Sequence, residues 1–184
     1  MKLDMAKIAA MPNSVERLAD YDALASKLGV APNSRQSETA AGKWTIRTTI
    51  SPIDDAKIVS ASLDSDSPIS ARIGKSTPTL ILRFKEGKVE VYINFGIFLG
   101  SENITSTIRF GKEEAQTQKF SVSTNYESAF WQGEVQTFLT HLSKVDTFVI
   151  RVTPYGESSV TVSFTLAGID KVLEAIYAAS VAKK

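Results

Sequence analysis

The side chains able to do acid–base or nucleophilic work are few and scattered. His141 is the only histidine, and Ser143 and Asp146 lie close by, so the residue types of a serine–histidine–aspartate triad are present. Such a triad also needs its serine on a turn of the Gly-x-Ser-x-Gly kind, and no such turn occurs. His141 therefore reads as a boundary residue of a helix. With one histidine and no cysteine, the usual zinc ligand sets cannot be assembled, and no metal site is expected. Asp64-Ser65-Asp66-Ser67 opens like a calcium loop. The positions that should be the turn glycine and the closing glutamate are Ile69 and Lys75, so a solvated turn is the better reading. Asp54–Asp55 and Glu113–Glu114 are adjacent carboxylates. Strand neighbours point to opposite faces, so adjacency builds no acid/base dyad. A glycosidase pair drawn from distant positions is the route left to an enzyme. The segment from Gly96 to Gly100 holds Ile97, Phe98 and Leu99, too apolar to cradle a phosphate. No catalytic residue and no cofactor is assigned, and a non-enzyme is expected.

Binding chemistry has more candidates. Arg83, Arg109 and Arg151 each sit within an apolar or threonine-rich strand pattern. Surface salt bridges are their ordinary use; a shared anion site is the sharper expectation. Phe95, Ile97, Phe98 and Leu99 form an apolar segment whose ordinary use is core packing. Its alternative is a docking loop that shows Phe98 and Leu99 to a partner. Tyr126, Phe130 and Trp131 divide in the same way between core and aromatic platform.

The elements that position these residues are mostly strands. From Trp44 onward apolar residues alternate with polar ones: Trp44, Ile46, Ile50; then Val59, Ala61, Leu63; then Leu80, Leu82, Phe84. Val89, Val91, Ile93 and Phe95 follow across Glu86-Gly87, a hairpin signal. Further runs are Ile104, Ile108 and Phe110; Phe120 and Val122; Phe148, Ile150 and Val152; and Val160, Val162, Phe164 and Leu166. Pro154-Tyr155-Gly156 turns between the last two. Two helices interrupt, at about 133–143 (Val135, Phe138, Leu139, Leu142) and about 168–181 (Ile169, Val172, Leu173, Ile176). The expected fold is mainly β within α+β: an antiparallel sandwich or curled sheet with two packed helices.

Ahead of this domain, assigned to 43–184, lie a helical extension over 1–30 and a polar linker over 31–42. Asn13 and Glu16 have capping-box spacing, and 14–28 reads as an amphipathic helix. Isolated helices of about 15 residues are marginal. Leu18, Tyr21, Leu24 and Leu28 are therefore expected to dock on a partner, on another copy of the chain, or back on the domain. Deleting 1–30 is expected to leave the domain folded.

Charge narrows the partners. The 21 basic and 20 acidic side chains are interspersed, for a formal net charge of +1, and no Lys/Arg cluster is present. Proteins rather than nucleic acid are expected. No apolar run approaches the roughly 20 residues of a membrane span. Residues 1–12 hold no secretory core, and the lack of cysteine suits a reducing compartment.

Several segments together carry a family resemblance. Trp44-Thr45-Ile46, Ser51-Pro52-Ile53-Asp54-Asp55 and Pro78-Thr79-Leu80-Ile81-Leu82-Arg83 open it. Lys88 to Ile93, Ile108-Arg109-Phe110, Arg151 to Tyr155 and Phe164 to Gly168 complete it. Over about 43–180 the chain resembles the VasI/TagO-type accessory proteins of type VI secretion systems. The resemblance implies a β-rich accessory domain, without catalytic residues, attached to a contractile, phage-tail-like machine. The family's exported members commonly carry a cysteine after the strand arginine and another in the terminal helix. This chain has Phe84 at the first place and Ala178, Ala179 and Ser180 in the helix. The expectation is a structural or adaptor component of a phage particle or phage-tail-like machine, made in the cytoplasm and carried into the virion. An exported type VI secretion factor in the periplasm, or an envelope glycan or peptidoglycan protein, is the alternative.

Overall fold

The computed structural model describes residues 37–72 and 74–181, together with Arg17, Asp20, Tyr21 and Leu24. The chain divides into two compact units, 1–36 and 37–184. The four described residues of the first unit are all helical; the rest of the helix expected over 14–28 lies outside the described residues. Leu18 and Leu28 lie outside the described residues.

The second unit runs β1 (Ser37–Ala41), β2 (Trp44–Ile50), β3 (Lys57–Asp64), β4 (Ile69–Ala71), β5 (Gly74–Ser76), β6 (Thr79–Lys85) and β7 (Lys88–Asn94). It continues with β8 (Ile104–Phe110), β9 (Gln116–Val122), β10 (Ser128–Trp131), helix α1 (Val135–Leu142), β11 (Thr147–Val152), β12 (Val160–Thr165) and helix α2 (Ile169–Val181). Ten strands form one sheet in the order β1-β2-β3-β6-β7-β10-β9-β8-β11-β12, every neighbour antiparallel. The mainly-β architecture and both helices of the second unit are as the alternation and the helical spacing predict.

The linker expected over 31–42 requires correction. Residues 37–41 pair with β2, from Ser37 opposite Thr48 to Ala41 opposite Trp44. Ser-Glu-Thr-Ala-Ala is short of apolar residues because it is an edge strand, with Glu38 to Ala40 exposed. Hydropathy reads such a strand as linker.

Side-chain alternation produces the core. Trp44, Val59, Ala61, Leu63, Leu80, Leu82, Phe84, Val91 and Ile93 are all buried on one face of β2, β3, β6 and β7. Helix α2 packs along β1, β2, β3 and β6, burying Val172, Leu173, Ile176 and Ala179. Phe84 and Ala179 thus belong to one apolar core. In the other half, Phe138 of α1 lies 5.3 Å from both Phe110 and Phe148 and 4.7 Å from Trp131. Large aromatic rings fill the space where a short helix meets a curved sheet.

The sheet curls without closing into a barrel. The connection from β3 towards β6 reaches the far edge strand: Asp66 N–H donates to Ser163 O (2.8 Å), and Thr165 N–H donates to the Asp66 carboxylate (3.2 Å). Asp66 also pairs with Lys43 at 3.6 Å. These bonds occupy backbone groups of an edge that would otherwise invite pairing with another chain.

Candidate functional site

Three loops leave neighbouring strand ends and meet. The β7–β8 loop starts beside β10, where Asn94 faces Ser128. The β9–β10 turn begins after Val122, opposite Ala129. The β11–β12 loop follows Val152, opposite Val160. Backbone bonds join the first two: Phe95 N–H donates to Glu127 O (2.9 Å) and Leu99 N–H to Tyr126 O (2.8 Å).

The in–out alternation of β7 continues through 95–99. Phe95, Ile97 and Leu99 point into the core, and Phe98 points out with 46% of its surface exposed. Phe98 meets Tyr126 edge to face at 5.7 Å and Tyr155 at 6.1 Å. Tyr126 holds a positive φ of 62° and is 42% exposed, while Tyr155 is 76% exposed. Gly100, at φ +115°, turns the chain in a backbone conformation that favours glycine, and a Cβ there would meet Tyr155 Cβ at an ordinary contact distance of 3.6 Å. Interplanar angles of 70° and 82° make the three rings a ridge rather than a flat platform. Around it, residues 95–103, 123–127 and 153–159 carry Glu102, Glu127 and Glu157 and no lysine or arginine. Glu157 accepts the backbone N–H of Arg72 (3.2 Å), and Glu127 accepts Asn125 Nδ2 (3.1 Å).

Of the two loop residues expected to face a partner, Phe98 is exposed and Leu99 is not. Leu99 is 2% exposed, because strand-like alternation turns it inward. Tyr126 joins the ridge; Phe130 does not, stacking instead on Tyr92 at 4.5 Å. Trp131 packs against Phe120 and Phe138. Tyr155 had no sequence signal beyond its turn between Pro154 and Gly156. In the helical extension, Tyr21 and Leu24 are half-buried.

The expected three-arginine site is not formed. Arg83 on β6 bonds Glu90 through Nε (2.8 Å) and Nη2 (2.6 Å) and lies 5.2 Å from the Tyr92 ring centre. Arg109 and Arg151, on the paired strands β8 and β11, line one shallow pocket. Burial pushes the Tyr92 phenol above its ordinary value, the Arg83 guanidinium pulls it down, and the Glu90 carboxylate adds to the rise.

The residues weighed for chemistry hold the fold. His141 packs 4.9 Å from the Phe110 ring centre, and Ser143 Oγ donates to Thr140 O (2.9 Å). Asp64 accepts Thr79 Oγ1 (2.8 Å), and Asp66 makes the edge contacts above. Among the described residues no group of three histidine, aspartate or glutamate side chains is placed to hold a metal, and no helix is long and apolar enough to cross a membrane.

No family model matches the chain, and no curated protein sequence matches it. The fold has a counterpart in the crystal structure of invasion associated protein B from Bartonella henselae. The TM-score is 0.55 at 11% identity, over 77% of this chain and 95% of that one. At that identity the likeness concerns the fold alone. It is the class of a curled antiparallel sheet with packed helices.

Proposed function

We propose that the chain is a non-enzymatic adaptor whose β-domain docks a protein partner through the Phe98–Tyr126–Tyr155 ridge. The observation that carries this reading is the edge-to-face packing of exposed Phe98 on both Tyr126 and Tyr155, three exposed rings from three separate loops. Exposed aromatic residues held rigid by their neighbours resemble the anchors of protein interfaces, which give large contact area at small entropic cost. The complement is an apolar pocket rimmed by lysine or arginine, because the three loops carry glutamates and no basic residue.

The setting is part of the proposal and rests on the sequence resemblance: a phage particle or a phage-tail-like contractile machine, with the N-terminal helix as a second anchor. The test is affinity purification from the native host with the full chain and with Phe98→Ala/Tyr155→Ala, read by mass spectrometry. Capsid or tail proteins recovered with the full chain and lost with the variant support both parts. Secretion-complex or cell-wall proteins, also lost with the variant, keep the docking ridge and move the setting to the envelope. Identical recovery with both chains overturns the ridge.

A further inference from the structure

We infer that the pocket between Arg109 and Arg151 binds a dianionic phosphate-type group. In the β8–β11 ladder Arg109 faces Val149 and Arg151 faces Thr107. The two arginines are therefore diagonal neighbours on one face of the sheet, a spacing of about 7–8 Å that long side chains easily close. They line a pocket of about 210 Å³ with Thr107, Val149, Thr161 and Ala115.

Each guanidinium is held by its Nε: Arg109 donates to Glu113 O (3.0 Å), and Arg151 to Thr161 Oγ1 (3.2 Å). Both Nη groups of each arginine have no protein acceptor among the described residues, and no described carboxylate lies within ion-pair distance of either. Arg83 provides the contrast within the same sheet, because Glu90 takes its Nε and Nη2. Two like charges fixed on adjacent strands without a counter-ion repel each other, and an oxyanion relieves that repulsion. The four Nη groups and the Thr107 hydroxyl supply many donors, which suits an acceptor with three oxygens and two charges better than a single carboxylate.

Free phosphate and a phosphate monoester share this chemistry, so the test uses both. The full chain is titrated calorimetrically with inorganic phosphate and with glucose 6-phosphate, at constant ionic strength set by potassium chloride. Saturable binding of either probe is expected, weakened at least tenfold in Arg109→Gln and in Arg151→Gln and unchanged in Arg83→Gln. Tighter binding of the monoester identifies a phosphorylated ligand, and equal or tighter binding of inorganic phosphate identifies the free ion. Circular dichroism checks that each variant folds, and a chain that fails is replaced by Arg109→Lys or Arg151→Lys, for which weaker binding is still expected because the fork is lost. The inference is overturned if the unmodified chain shows no saturable binding of either probe. Binding that persists undiminished in both variants overturns it equally.

Discussion

Phe98 meets Tyr155 edge to face at 6.1 Å; the two residues belong to different loops, β7–β8 and β11–β12, which the pairing of β8 with β11 brings together. The contact forms at the protein surface, where Tyr155 keeps 76% of its area exposed. Removing so exposed a ring should cost little stability. Tyr155→Ala is expected to change the unfolding free energy by no more than about 0.5 kcal/mol, measured by urea titration. A loss several times larger would show that the ridge holds the fold rather than a partner.

The inner aromatic cluster should behave in the opposite way. Phe148 is fully buried and touches Phe110, Phe138 and Phe164. Phe148→Ala removes a ring that the curled sheet cannot easily collapse to fill. It is expected to destabilise by about 3–5 kcal/mol, read from the same titration.

This contrast marks where the sequence was legible. Phe148, Phe164 and Phe110 fall on alternating strand positions, so their burial follows from period alone. The same period read across 95–99 predicts Phe98 out and Leu99 in; treating the segment as one apolar block missed the distinction. The meeting of Phe98, Tyr126 and Tyr155 depends on the strand order, which places β10 between β7 and β9, and pattern along a chain carries no information on that order. Arg109 and Arg151 are alike in sequence context to Arg83. They differ because Glu90 lies directly opposite Arg83, whereas Val149 lies opposite Arg109.

Two glycines fix the junction of the β1–β2 turn with the segment entering α2. Gly168 has φ +93°, and an added methyl would collide with the carbonyl oxygen of Ala41; Gly42, at φ +65°, stands in the same relation to Ala167. Gly156 has φ +70° with open space around it. Gly168→Ala is expected to lower stability by about 1–3 kcal/mol and Gly156→Ala by less, since only the first adds a backbone clash to the strain. Thermal unfolding of both variants checks the order.

Tyr92 gives a pH signature. Desolvation raises its phenol above the ordinary 10.0, against the pull of Arg83 and with that of Glu90. The folded chain then holds a proton that the unfolded chain releases first. Stability from this source is complete below the unfolded value of about 10 and is lost as pH rises towards the folded value. Tyr92→Phe is expected to flatten that part of the alkaline stability loss, followed by urea unfolding at a series of pH values. An unchanged slope would assign the loss to other groups.

The central claim is that a partner sits on the aromatic ridge, and photo-crosslinking in the native host tests it most directly. Benzoylphenylalanine replaces Tyr155 in one chain and, as a control, the 94% exposed Ile53 on the β2–β3 turn in another. The account predicts one adduct of defined mass from position 155, none from position 53, and loss of that adduct when Phe98→Ala is added. Equal adducts from both positions, or none from position 155, would contradict it.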